Sequence, residues 1–235
     1  LHSAFVQLVS PAPLQATSAE RSVSFISARE RLYLGSTLLA LTALYLWAAQ
    51  YWIDPFEEGY FAYLAGRVLA GDHPYQHFST PYTPGFFYLH ALLFKVFGFS
   101  LYWQRFGVVL ARVVGAALFY LLARKVAPAR YAVMAPVSFL LFDPAPVPWQ
   151  THPSWYAAPS ATAAALATLQ FLESRRLKWL SVAAAMAALS FAFKQNIGLL
   201  VLLASGTFVL LAGVITQPPR RLLALGFRLS SRAPR

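Results

Sequence analysis

The 235-residue chain is 58% hydrophobic and 11% charged, against about 45–50% apolar and about 25% charged in an ordinary soluble domain, so its composition suits lipid as solvent. A net charge of +11 does not mark a nucleic-acid binder here, because the basic residues lie between hydrophobic blocks rather than along one face of a domain. The absence of cysteine excludes disulfide frameworks, thiol nucleophiles and thiolate metal sites.

Residues 1–32 read as a cytoplasmic tail. Their uncharged part, Leu1 to Ala19, is broken by Pro11 and Pro13 and lacks the basic-then-apolar order of a secretory signal. The first predicted span is Tyr33 to Trp52, preceded by Arg29, Glu30 and Arg31 and closed by interfacial aromatics. A long loop over 53–100 follows, in which Phe56 to Ala70 repeats its apolar residues near the helical period and stops at Gly71. This helix is expected to lie along the membrane surface. Pro84 to Gly98 is apolar but short, and carries His90 and Lys95. Further spans are predicted over Leu101 to Ala123, Tyr131 to Phe142, Trp155 to Leu172, Leu180 to Phe193 and Ile197 to Ile215. Residues 143–154 form a second loop, and 216–235 a basic cytoplasmic tail. The start at Leu1 and the basic run to Arg235 lead us to expect a portion of a longer protein, without its later spans.

The distribution of basic residues decides whether Pro84 to Gly98 crosses. If it does not, the Arg21/Arg29/Arg31, Arg124/Lys125/Arg130 and Arg175/Arg176/Lys178 clusters and the Arg220 tail all share the cytoplasmic side. The expected fold is therefore all-α: a polytopic transmembrane helical bundle of about six spans over residues 33–215, with juxtamembrane helices in the first extracytoplasmic loop. Asp54, Glu57, Glu58, Asp72 and Asp143 then lie in or beside extracytoplasmic loops.

Asp54, Glu57 and Glu58 place three carboxylates within five residues at the end of a membrane helix. Such a cluster resists full ionisation and needs a cation, a proton or a reacting group to settle it; alternatively, it is the solvated acidic first turn of a helix. Asp143, in the proline-rich stretch Phe142 to His152, is either an acceptor or cation ligand or a helix-ending Asp-Pro. His152 is either a ligand or acid, or a solvated loop histidine. Lys194 separates two apolar helices and is either a phosphate-binding charge or a snorkelling helix end. Arg105 and Lys95 are weaker candidates of the same kind. The Ala-rich runs near Ala157 and Ala183 suit close helix packing in lipid. No nucleotide-binding loop or nucleophile elbow is present.

The run Glu57 to Ala65, followed by Arg67, Leu69 and Gly71 and then by Tyr82-Thr83-Pro84-Gly85-Phe86-Phe87-Tyr88, resembles the first outer loop of the GT-C glycosyltransferases. The nearest branch is that of the bacterial protein-mannosyltransferase-like and RgtA/B/C/D-like enzymes. Phe94 to Gly98, Arg105, Leu121 to Lys125 and Phe193-Lys194-Gln195 continue the likeness over about residues 33–215. The resemblance implies an inverting transfer of a sugar from a polyprenyl-phosphate carrier to a glycan, lipid or protein acceptor, at the extracytoplasmic face of a bacterial plasma membrane. It puts the base or acceptor-orienting role on Glu57 or Glu58, with Asp54 in reserve, and substrate contacts on Asp143, His152, Lys194, Arg105 and Lys95. This chain has Glu where the family more often has Asp at the first of the acidic pair. It has Tyr82-Thr83 where some relatives carry a basic residue. No metal ligand set is specified; a divalent cation is admitted but not required. A transporter, lipid-handling or structural membrane protein is the alternative, but a transporter predicts broken, charged helices meeting at midplane, whereas these acids cluster in loops.

Overall fold

The computed structural model describes residues 27–51, 54, 56–141 and 150–216, and among these the regular elements are helices. Helix α1 (Ala28–Ala48) opens with a capping box in which Ser27 Oγ accepts from the Glu30 N–H at 3.2 Å and Glu30 Oε2 accepts from the Ser27 N–H at 2.7 Å. Helices α2 (Glu57–Leu69) and α3 (Gly85–Phe97) pack on each other through Phe61, Leu64, Phe86 and Phe87. Each is followed by a glycine at positive φ, Gly71 at 103° and Gly98 at 91°, a backbone that a side chain would strain.

Helix α4 (Leu101–Val126), capped by Ser100, is the spine; its 26 residues span about 39 Å. It packs against α1, against α3, against α6 (Met134–Leu141) and against α7 (Ser154–Ser174). Helix α5 (Ala129–Ala132) is a single turn. Helix α7 turns back through Arg175 and Arg176 into α8 (Leu177–Phe193), and α9 (Gln195–Thr216) lies against both. The expected single span from Tyr131 to Phe142 is instead divided into α5 and α6 at Val133. Pro136 supplies the reason: it has no N–H for the Ala132 carbonyl, and its ring crowds that carbonyl.

Among the described residues, α4 and the Gln195–Gly213 part of α9 are long and apolar enough to cross a bilayer. Helices α1 and α7 have the length, 21 residues each, but carry more hydroxyl and amide groups. Thr42, Ser160, Thr162 and Thr168 turn their hydroxyls onto carbonyls four residues back, which hides them from an apolar surround. Leu200 (66% exposed), Leu203 and Leu210 cover the outside of α9. An apolar surface of that extent belongs in lipid.

The bundle has two chemically different ends. At one, the start of α1 meets the end of α4 through Glu30 and Arg124 (3.6 Å), and the end of α7 meets α4 through Glu173 and Lys125 (2.7 Å). The carboxylates of the first loop lie at the other end, where α2, α7 and the α8–α9 junction start or finish.

Candidate functional site

The three clustered carboxylates have different partners, and that separates their roles. Glu58 is 1% exposed and lies under α2. Arg105 of α4 grips it with both arms of its fork, Nε to Oε1 at 2.8 Å and Nη2 to Oε2 at 2.5 Å. Arg105 also donates to the Ala49 carbonyl, and Gln104 donates to the Glu58 carbonyl at 3.3 Å. A bidentate pair this well buried has its lone pairs committed. It fastens α2 to α4 and to the end of α1.

Asp54 closes the first turn of α2. Its Oδ1 accepts from the N–H groups of Phe56 (3.0 Å) and Glu57 (3.2 Å), the capping contact that acidic and hydroxyl side chains make at a helix start. Its Oδ2 accepts from Gln150 Nε2 at 2.6 Å. The same amide nitrogen donates to Glu57 Oε2 at 3.1 Å, which leaves Glu57 Oε1 without a hydrogen-bond partner among the described residues. Glu57 is the solvent-facing member of the cluster. Crowding by protein raises its pKa above the ordinary 4.5, and the neighbouring Asp54 charge adds to the rise while Lys194 opposes it.

Lys194 caps α8 in an extended conformation and donates from Nζ to Ser154 Oγ at 2.6 Å. Desolvation lowers its pKa, with the Glu57 charge pulling it back up. Ser154, the first residue of α7, also touches His152 Nδ1 at 2.9 Å, and its backbone N–H donates to the same nitrogen at 3.2 Å. Nδ1 is therefore the accepting nitrogen, which puts the proton of a neutral His152 on Nε2. Tyr82 closes the remaining side: its ring meets the rings of His152 and Phe61 edge to face, at 5.9 and 5.3 Å. Desolvation raises its hydroxyl pKa, and the Glu57 and Tyr60 charges add to this. A carboxylate, a cation, a hydroxyl and an imidazole from three separate loops thus converge on one end of the bundle.

The loop carrying Tyr82 is seated by contacts at both ends. Gln195 Nε2 donates to the Pro81 carbonyl at 2.8 Å, and Tyr75 Oη donates to the Tyr82 carbonyl at 2.6 Å. Gly85 presses so close to α8 that a Cβ there would stand 2.6 Å from the Ala192 carbonyl oxygen.

Of the residues singled out in the sequence, Asp54, Glu57, His152 and Lys194 come together. Arg105 lies beneath them on Glu58. Lys95 is exposed in the last turn of α3, ten residues and about 15 Å along that helix from Gly85, and is not brought to the group. Asp143 lies outside the described residues. The sequence reading did not single out Gln150, Ser154, Tyr82 or Arg112 as members of a site. Arg112 is 0% exposed in α4, with its guanidinium 4.0 Å from the Trp155 ring centre and 5.2 Å from that of Tyr45. It had a legible signal, a cation in the middle of an apolar helix, and Tyr82 stood in the stretch that carries the resemblance. Gln150 and Ser154 are neutral loop residues and carry none.

Searches of curated proteins and of solved structures give no match. The model of the family described as dolichyl-phosphate-mannose-protein mannosyltransferase matches residues 72–229, a segment that holds Tyr82, Arg105, Gln150, His152, Ser154 and Lys194 and starts after the three clustered carboxylates. Together with the two bilayer-length apolar helices, that match over most of the chain identifies an integral membrane protein that belongs to the dolichyl-phosphate-mannose-protein mannosyltransferase family, glycosyltransferases of the GT-C type.

Proposed function

We propose that this chain carries the site of an inverting glycosyltransferase, which moves a sugar from a polyprenyl-phosphate carrier to a hydroxyl-bearing acceptor at the extracytoplasmic face of a bacterial plasma membrane. Glu57 is the general base. The carrying observation is that Glu58 is committed to Arg105 and Asp54 to its cap and Gln150, whereas Glu57 has an oxygen left to accept a proton. Lys194, paired with Ser154 beside His152, holds the carrier phosphate as a point charge.

In this reading the acceptor hydroxyl attacks the anomeric carbon from the face opposite the phosphate. The new carbon–oxygen bond forms as the bond to the phosphate oxygen breaks, the electron pair leaves with the polyprenyl phosphate, and the hydroxyl proton passes to Glu57 Oε1. A base at this step contributes about 10²–10⁴-fold. The extracytoplasmic placement is supported by the basic end of the bundle, where Arg124 and Lys125 gather, since basic loops favour the cytoplasm.

The test is transfer from radiolabelled polyprenyl-phosphate mannose in membranes containing the protein. Glu57→Gln is expected to lose transfer by about 10²-fold or more while still binding the donor. Full activity of Glu57→Gln overturns the assignment of the base.

A further inference from the structure

We propose that Gln150 is the positioning residue of the carboxylate site, its one side-chain amide tying Glu57 to Asp54 and fixing which Glu57 oxygen is left to face the acceptor. The inference rests on the reading of Glu57 as base and extends it to a residue that reacts with nothing itself.

A glutamate in the first turn of a helix, exposed to solvent, ordinarily samples many rotamers, and holding it in one costs side-chain entropy. An amide nitrogen has two hydrogens. Here the geometry directs one to Asp54 Oδ2 at 2.6 Å and the other to Glu57 Oε2 at 3.1 Å. Gln150 is itself 9% exposed, the next residue, Thr151, is 0% exposed, and two residues on His152 is held by Ser154. The donor is therefore fixed from behind. Asp54 is equally fixed, because its other oxygen holds the N–H groups of Phe56 and Glu57. The Glu57 side chain is thereby anchored at its far end to a frame made by two loops.

The neutrality of the amide matters. A lysine at this position would also draw the two carboxylates together, but its full charge would weaken the base, whereas a neutral amide orients them without adding a charge. Among the described residues, the charged and titratable groups around Glu57 are Asp54 before α2, Glu58 and Tyr60 on α2 with Arg105 behind Glu58, Tyr82 before α3, His152 before α7, and Lys194 after α8. Gln150 is, among the described residues, the one neutral side-chain donor that reaches the Glu57 carboxylate.

The experiment compares wild type with Gln150→Met, which keeps length and loses the donor, and with the isosteric Gln150→Glu, which replaces donor with charge. In transfer from radiolabelled polyprenyl-phosphate mannose, Gln150→Met is expected to lower kcat by about 10–100-fold through misplacement of the base, with the donor KM unchanged. Losing a donor to the charged form raises a carboxyl pKa, and adding a like charge raises it further. The acid limb of the pH–rate profile should therefore move to higher pH in Gln150→Met and further in Gln150→Glu. An imidazole shares the site, so the protonation of Glu57 is read separately, as the infrared carboxyl band missing from Glu57→Gln, in wild type and in Gln150→Met. This reading needs no turnover and survives a poorly active variant. An unmoved acid limb in both variants with an unmoved Glu57 band in Gln150→Met overturns the inference, as does an equal loss at every pH. If Glu57→Gln is inactive while Gln150→Met behaves as wild type, only the role of Gln150 falls; if Glu57→Gln is active, the base assignment falls with it.

Discussion

At the scale of residues, three neighbouring acids with the same formal charge are separated by what donates to them. Glu58 accepts a buried arginine fork and Asp54 a helix start, so neither is poised to take a proton. Removing one member of a buried ion pair leaves the other uncompensated and costs about 3–5 kcal/mol. Glu58→Ala and Arg105→Ala are each expected to lower the unfolding temperature of the protein in detergent markedly, while the joint replacement Glu58→Leu with Arg105→Met costs much less. If the double variant proves as unstable as the singles added together, the pair is not acting as a unit. The sequence showed the acidic cluster and the basic residues of its surroundings, but not which acid is spoken for. That division depends on Arg105, forty-seven residues from Glu58, and spacing alone does not report a contact of that range. The Gln150 bridge was hidden for the same reason.

At the scale of elements, most helices were legible because each is an apolar run ended by glycine, proline or charge. Phe56 to Ala70 became Glu57–Leu69, Pro84 to Gly98 became Gly85–Phe97, and Ile197 to Ile215 lies inside Gln195–Thr216. The division of Tyr131 to Phe142 was missed although Pro136 was in view, because a count of apolar residues does not register a lost N–H. The seating of the first loop on the α8–α9 junction was equally invisible, and it makes a definite prediction. A Cβ at Gly85 would stand 2.6 Å from the backbone oxygen of Ala192, which has no rotamer by which to move away. Gly85→Ala is expected to destabilise by about 1–3 kcal/mol, in the manner of overpacking, and to raise the donor KM by displacing α8 next to Lys194. Chemical unfolding and donor titration check the two effects independently; a Gly85→Ala protein with wild-type stability and KM would show that the contact relaxes at no cost.

At the scale of the molecule, composition announced a helical membrane protein, and the helical architecture, the family and the bilayer-length helices α4 and α9 accord with it. The number of crossings and their direction rest on the distribution of charge. The chain has no cysteine, so single cysteines can be introduced without background. A cysteine at Tyr75 should react with an impermeant maleimide in intact cells, and one at Lys178 only after permeabilisation, if the basic end faces the cytoplasm. The reverse pattern would turn the bundle over and move the carboxylate site to the inner face.

The stack of Arg112 on Trp155 also has an optical consequence. Indole emission responds to a cation lying on the ring, and this ring immediately follows Ser154, the partner of Lys194. With the other tryptophans replaced by phenylalanine, Trp155 becomes an intrinsic fluorophore joined by one peptide bond to the hydrogen-bond partner of the proposed phosphate contact, so occupancy of that contact can be followed by light without attaching a label to protein or lipid.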